Sequence, residues 1–170
     1  GSKIAAANTG LNVDIIDFNN LTGYLSNAIT IPVLSISQAY GVEFSPNSNI
    51  LYISSWYDNG DILQYDLLAG GSIDIQNSEL LVSGAGLYLG AALQLAPNNK
   101  IYQVADAGLS GLISLGVINN PDILGLGCNY DPNGVNLIAG TYGGLGLPTF
   151  FSSIFLSNTV DFINLCYGDS

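Results

Sequence analysis

The 170-residue chain reads as an all-β protein on three observations. Glycine occurs 21 times, among abundant Asn and Ser, and these are residues that turns select. Eleven of the thirteen acidic residues are Asp, which favours turns where Glu favours helices. Apolar runs of about five to seven residues recur, each ended by Gly, Asn, Asp or Pro, as strands and turns require.

In chain order the first strands expected are KIAAA (3–7) and NVDIIDF (12–18), separated by Asn-Thr-Gly. ITIPVLSI (29–36) follows. GVEFS (41–45) and ILYISS (50–55) flank Pro46-Asn47, and DILQYDL (61–67) begins after Asp58-Asn59-Gly60, a favoured hairpin turn. ELLVS (79–83) comes next, and AALQLA (91–96) and KIYQVA (100–105) flank Pro97-Asn98-Asn99. LISLGVI (112–118) and VNLIA (135–139) complete the series. No stretch sustains a 3.6-residue period with caps, so minimal helix is expected.

Composition excludes several classes. With 48% hydrophobic and 9% charged residues, and a mean hydropathy of +0.40, the chain is too apolar for disorder. Its apolar runs, such as LSGLISLGVI (109–118), break well before the roughly 18 residues of a spanning helix. No basic segment followed by an apolar one opens the chain, so no signal peptide is expected in it. Gly1-Ser2 reads equally as a cloning scar or a native turn. Two lysines, no arginine and a net charge of −11 cannot neutralise a run of phosphates, which removes nucleic acid and disfavours anionic lipid.

A repeat organises the strands. Pro46 and Pro97 lie 51 positions apart in VEFSPNSNILY (42–52) and LQLAPNNKIYQ (93–103), each between matched strands. SKIAAANTGLNVDIIDF (2–18) aligns in turn with SNILYISSWYDNGDILQYDL (48–67), placing Asp17 49 positions before Asp66. NKIYQVADAGLSGLISLGVINN (99–120) reads as a further copy. A four-strand unit repeated near every 50 residues is the demand of a β-propeller blade. Three antiparallel blades are expected, with residues 3–18 supplying the later strands of the first. Blades packed face to face bury both faces of most strands, which accounts for near-continuous apolar runs. An open three-blade arc is also expected to leave apolar end faces, covered by other segments of the same polypeptide or by another copy.

The series SPNSNILYIS, DILQYDL, LQLAPNNKIYQVAD, VINNPDILGLGCNY, GVNLIAG and LGLPTFFSS resembles the propeller module of large secreted Bacteroidota proteins. These are gliding-motility-associated surface adhesins and other type IX secretion cargo. The resemblance covers nearly the whole chain and is most specific in LQLAPNNKIY and in the NP…CNY…GLPTF ending. It implies that residues 1–157 are the C-terminal three blades of a propeller about twice this length. It also implies that 158–170, ending DFINLCYGDS, lead toward an immunoglobulin-like repeat.

Catalytic constellations are nearly absent from the sequence. Without His, neither the commonest general base nor a Ser/His/Asp or Cys/His arrangement is available. GAGLYLG (84–90) has the wrong spacing for a dinucleotide loop, and GGLGLP (143–148) reads as a tight path into Pro148. Asp58, Asn59 and Asp61 are candidate calcium ligands, though the stretch lacks a terminal bidentate acid and doubles as a hairpin turn. Asp17 and Asp66 read as turn-capping acids rather than a catalytic pair. Trp56 and Tyr57 are candidates for sugar stacking or for packing between sheets. Cys128 and Cys166 suggest a disulfide in an exported protein, with two buried thiols as the alternative.

No catalytic, cofactor or metal site is therefore expected. The expected function is that of an extracellular, non-catalytic adhesin module acting in adhesion or gliding motility. It would bind surface glycan or protein through rim loops, including Trp56–Asp61 and Asn129–Gly134, or serve as a structural segment. The alternatives are a self-assembling subunit completed in trans and part of a glycan hydrolase or lyase working with Asp pairs.

Overall fold

A computed structural model describes residues 2–8, 12–83, 89–106 and 113–147. Within them the strands form three antiparallel sheets, each a meander of neighbours in sequence. The first holds β1 (Lys3–Asn8), β2 (Asn12–Phe18) and β3 (Leu25–Pro32). The second holds β4 (Ala39–Phe44), β5 (Ile50–Ser55), β6 (Ile62–Asp66) and β7 (Leu80–Ser83). The third runs from β8 (Leu89–Leu95) through β9 (Ile101–Asp106) and β10 (Ser114–Ile118) to β11 (Tyr130–Asn136). The class is all-β, as expected.

Strand alternation divides the core into two layers. Leu51, Ile53, Leu63 and Tyr65 of the second sheet meet Val13, Ile15 and Ile31 of the first. Ile50, Tyr52 and Ile62 point the opposite way and meet Leu93, Ile101 and Ile118 of the third. The second sheet is thus buried on both faces, which is why ILYISS is apolar throughout and every residue of β5 is buried. Each fully buried Leu or Ile contributes on the order of 1.5–3 kcal/mol.

The two proline turns are one structure used twice. Ser48 N–H donates to Ser45 O at 2.8 Å, and Asn99 N–H donates to Ala96 O at 3.0 Å. Ser48 and Asn99 both adopt the left-handed conformation, at φ 61° and 60°. Asn47 Oδ1 accepts from Asn49 N–H, and Asn98 Oδ1 accepts from Lys100 N–H. Beyond the turn the copies slip by one residue, because Phe44 pairs with Leu51 whereas Leu95 pairs with Ile101. Ile50 therefore faces the third sheet, while its sequence equivalent Ile101 faces back toward the second.

The first sheet matches only part of the second. Lys3 pairs with Asp17 as Ile50 pairs with Asp66, so β1, β2 and β3 correspond to β5, β6 and β7. Among the described residues no strand takes the place of β4 beside β1. The opening residues do supply the later strands of a unit, and this sheet has three strands rather than four. Its outward face is mixed rather than purely apolar. Ile4 is 39% exposed there, and Asp14 bridges Asn8 Nδ2 at 3.0 Å and Thr30 Oγ1 at 2.6 Å.

Two expected strands move substantially, and a short helix is added. The third strand begins at Leu25 and ends at Pro32, so Val33 and Ile36 fill the core from a loop instead of a strand. The last strand is Tyr130–Asn136, not 135–139, and it contains Asp131-Pro132-Asn133-Gly134. Two features permit this: β11 is an edge strand, where a missing proline N–H leaves no partner unpaired, and its register shifts between Leu115 and Val117. A short helix, α1 (Ser72–Asn77), was not expected. Its six residues are too few to display a period, and Ile75 alone enters the first core layer. Among the described residues no helix is long and apolar enough to cross a membrane. The expected junction at 158–170 lies outside the described residues.

Candidate functional site

The end of β5 presents three aromatic rings. Tyr40 comes from β4, and Trp56 and Tyr57 directly follow Ser55. Tyr40 and Trp56 lie 4.8 Å apart between centroids at 37°, and Trp56 and Tyr57 lie 6.3 Å apart, edge to face. Trp56 is half-buried, whereas Tyr40 is 39% and Tyr57 55% exposed. Trp56 N–H donates to Gln38 O at 2.9 Å, which ties the loop to the chain entering β4.

Asp58 holds this loop in place. Its carboxylate accepts from Ser37 N–H, from Ser37 Oγ at 2.6 Å and from Ser55 Oγ at 2.6 Å. Burial pushes its pKa up, but these bonds outweigh that and hold it below the ordinary carboxylate range. Asp61 is shifted upward, by burial first and by the charge of Asp58 second. The backbone between them forms a 3₁₀ turn, Asp58–Gly60, with Asn59 left-handed at φ 54°. Asp58 thus buttresses the loop with oxygens already engaged by three donors. Among the described residues no group of three or more His, Cys, Asp or Glu gathers to hold a metal ion.

The other candidates scatter. Asp17 pairs with Lys3 at 2.6 Å and accepts from Asn27, so Lys3 leads in holding its carboxyl low. Asp66 Oδ1 accepts from Leu68 N–H at 2.9 Å. Asp66 thus caps the turn after β6 as expected, whereas Asp17 binds side chains of β1 and β3 instead of capping a turn. A shallow depression beside Asp17, lined by Ser2, Phe18, Asn19, Asn20 and Ser26, brings no further titratable group to it.

Asn129–Gly134 does not share a rim with Trp56–Asp61, contrary to expectation. Asn129 closes a loop that lies beside the first proline turn, where Asn47 N–H donates to Asp122 Oδ1 at 3.0 Å. That turn precedes Ile50, whereas Trp56 follows Ser55 at the opposite end of β5. Residues 130–134 are strand rather than loop. Residues 84–88 of GAGLYLG and Pro148 of GGLGLP are outside the described residues, while Leu145 O accepts from Ala92 N–H on β8. Cys128 is a fully buried thiol whose pKa is pushed up by burial. Cys166, its expected disulfide partner, lies outside the described residues.

Sequence reasoning missed the polar side chains that join the sheets. Glu43 Oε2 accepts from Leu95 N–H on β8 at 2.8 Å, and Oε1 accepts from Phe44 N–H at 2.9 Å. Gln64 is buried and donates Nε2 to Tyr52 Oη and to Ile123 O, while its Oε1 accepts from Gly125 N–H. Gln103, also buried, donates to Gly60 O at 2.9 Å and accepts from Tyr130 Oη. In the first layer Glu79 accepts from Leu34 N–H, Ser35 Oγ and Tyr65 Oη. One signal was available for Glu43: Gln94 stands at the same place in the second copy. No protein-family model and no curated protein matches the chain.

Proposed function

We propose that the three sheets are blades of a β-propeller, and that the chain is a non-catalytic, extracellular binding module of a Bacteroidota-type surface adhesin. The observation that carries the binding part is the group of Tyr40, Trp56 and Tyr57, partly exposed at one rim. Rings with an apolar face and a polar tip suit the alternating faces of a sugar, and Asp58 keeps the loop that bears them ordered. The adhesin part is supported by the repeat and by the resemblance of LQLAPNNKIY and the CNY…GLPTF ending to exported motility proteins. The non-catalytic part is supported by the engagement of Asp17, Asp58 and Asp66 in structural bonds at separate places in the fold.

A glycan array with the intact chain tests the reading, beside a broad panel of glycoside substrates. Binding to at least one glycan class is expected, lost in Trp56→Ala and Tyr57→Ala variants that keep the wild-type circular dichroism. Turnover of any substrate that disappears on replacing one Asp would overturn the non-catalytic reading.

A further inference from the structure

The first sheet presents a strand edge that the second sheet fills. β4 pairs along β5 through Glu43–Tyr52 and Phe44–Leu51, whereas β1, the counterpart of β5, pairs among the described residues with β2 alone. Phe18 N–H donates to Ser2 O at 2.8 Å, which sets the alternation of the β1–β2 ladder. Ile4, Ala6 and Asn8 consequently turn their N–H groups toward β2, and Lys3, Ala5 and Ala7 turn theirs to the open edge. Ser55 N–H to Asp61 O sets the same alternation in β5, where Ile50, Tyr52 and Ser54 turn toward β4. The open edge of β1 thus repeats, residue for residue, the edge that β4 occupies.

Two further observations bear on a strand that would pair there. Leu93 of β8 is 6% exposed beneath the second sheet, but its counterpart Val42 of β4 is only half-buried where β4 faces the first sheet. Glu43 reaches from β4 to Leu95 N–H on β8, while Phe44 N–H, the counterpart of Leu95 N–H, donates to Glu43 Oε1. On an incoming strand the place that matches Glu43 would take an acid or an amide. Glu43 and Gln94 hold that place in the two copies present.

We infer that the β1 edge is an acceptor for an antiparallel strand of the β4/β8 type, patterned apolar, Glu or Gln, apolar, Ser or Ala, Pro. The incoming Glu or Gln lies opposite Ala5, exchanging backbone hydrogen bonds with it. The side chains of Ala5 and Ala7 are small enough to leave the approach clear. The inference rests on the blade reading and not on glycan binding, so a blank glycan array leaves it standing.

The probe is a labelled peptide with the sequence of residues 39–49, AYGVEFSPNSN, added to the intact chain and followed by fluorescence anisotropy and amide hydrogen exchange. Saturable binding is expected, with exchange slowed at Lys3, Ala5 and Ala7. A peptide N-methylated at the residue equivalent to Glu43 loses the N–H that faces β1 and is expected to bind at least tenfold more weakly. Ala5→Pro removes an N–H that β2 does not use, and should weaken binding similarly while leaving the β1–β2 ladder intact. No binding, or equal binding of the plain and N-methylated peptides, overturns the inference even if Ala5→Pro fails to fold. A homodimer joined through paired β1 edges would overturn the stated occupant.

Discussion

Gln64 Nε2 donates to Tyr52 Oη at 2.8 Å, and Tyr52 Oη donates to Pro121 O at 2.9 Å, with both side chains out of contact with water. Gln64 also holds Ile123 O and Gly125 N–H, so these two residues clamp the 121–125 loop of the third sheet onto the second. Leaving a buried donor or acceptor unpaired costs about 1–3 kcal/mol, more than making the bond contributes. Gln64→Leu is therefore expected to lose about 3 kcal/mol and Tyr52→Phe about 1–2 kcal/mol. Denaturant titration of both single variants and the double should show a sum larger than the double's loss. Strict additivity would show that the pair does not act as one network.

That clamp also marks what was legible in the sequence. Strands β2 and β5 were readable to the residue, because Asn12–Phe18 and Ile50–Ser55 are apolar runs with turn residues at both ends. The proline turns were readable because Pro followed by Asn and then Ser or Asn is turn chemistry. Gln64 and Gln103 were not readable as joints. In a strand, one polar residue between apolar ones looks like a solvent-facing position, and only the neighbouring sheet shows it to be buried. Asp131–Gly134 misled because Asp-Pro and Asn-Gly signal turns, while an edge strand accepts them. The aromatic pair Trp56–Tyr57 was visible in sequence, but Tyr40 joins it only through the β4–β5 pairing.

Glu43 should impose a pH dependence. Burial raises its folded-state pKa, and the Leu95 and Phe44 N–H bonds oppose this without overcoming it. The unfolded chain then ionises first as pH rises. The contribution of Glu43 is fully present below the ordinary Glu range and is lost as pH climbs through the raised folded value. Glu43→Gln does not titrate. Wild type minus variant stability should fall as pH rises from the ordinary Glu range through the raised folded value, and a difference that rises with pH would contradict the assignment.

Gly41 of β4 packs tightly against β8. A Cβ there would stand 2.6 Å from Ala91 O and from Ser54 Oγ, and 2.9 Å from Leu93 N. Ser54 Oγ meanwhile accepts from Gly41 N–H and donates to Ala91 O, so it cannot retreat without breaking both bonds. Gly41→Ala is expected to cost about 2–3 kcal/mol by overpacking. Thermal melts would check this, and an unchanged midpoint would mean that the strands separate more easily than the contacts imply.

Cys128 should be chemically silent in the folded chain. It is fully buried beside Ile50 and Tyr52, and burial raises its pKa, so little reactive thiolate forms near neutrality. In a Cys166→Ser background, a thiol reagent at pH 8 should label Cys128 only as denaturant unfolds the chain. Rapid labelling in buffer alone would show that the loop carrying it opens independently.

Asp58 links stability to the proposed binding rim. Although burial disfavours its charge, the bonds from Ser37 and Ser55 prevail and lower its folded-state pKa. Its contribution is therefore present above the ordinary Asp range and is lost as pH falls through the lowered folded value. Asp58→Ala leaves Ser37 N–H and two hydroxyls without their acceptor and should cost about 1–2 kcal/mol at neutral pH. The loss should shrink as pH falls through that lowered value, where the wild-type carboxyl is also becoming protonated. Because Trp56 and Tyr57 sit on the loop that Asp58 pins, the variant should also weaken glycan binding and raise the exchange rate of the Trp56 amide. Retained binding with a slowly exchanging Trp56 amide would show that the Gln38 bond and the ring stack hold the platform without Asp58.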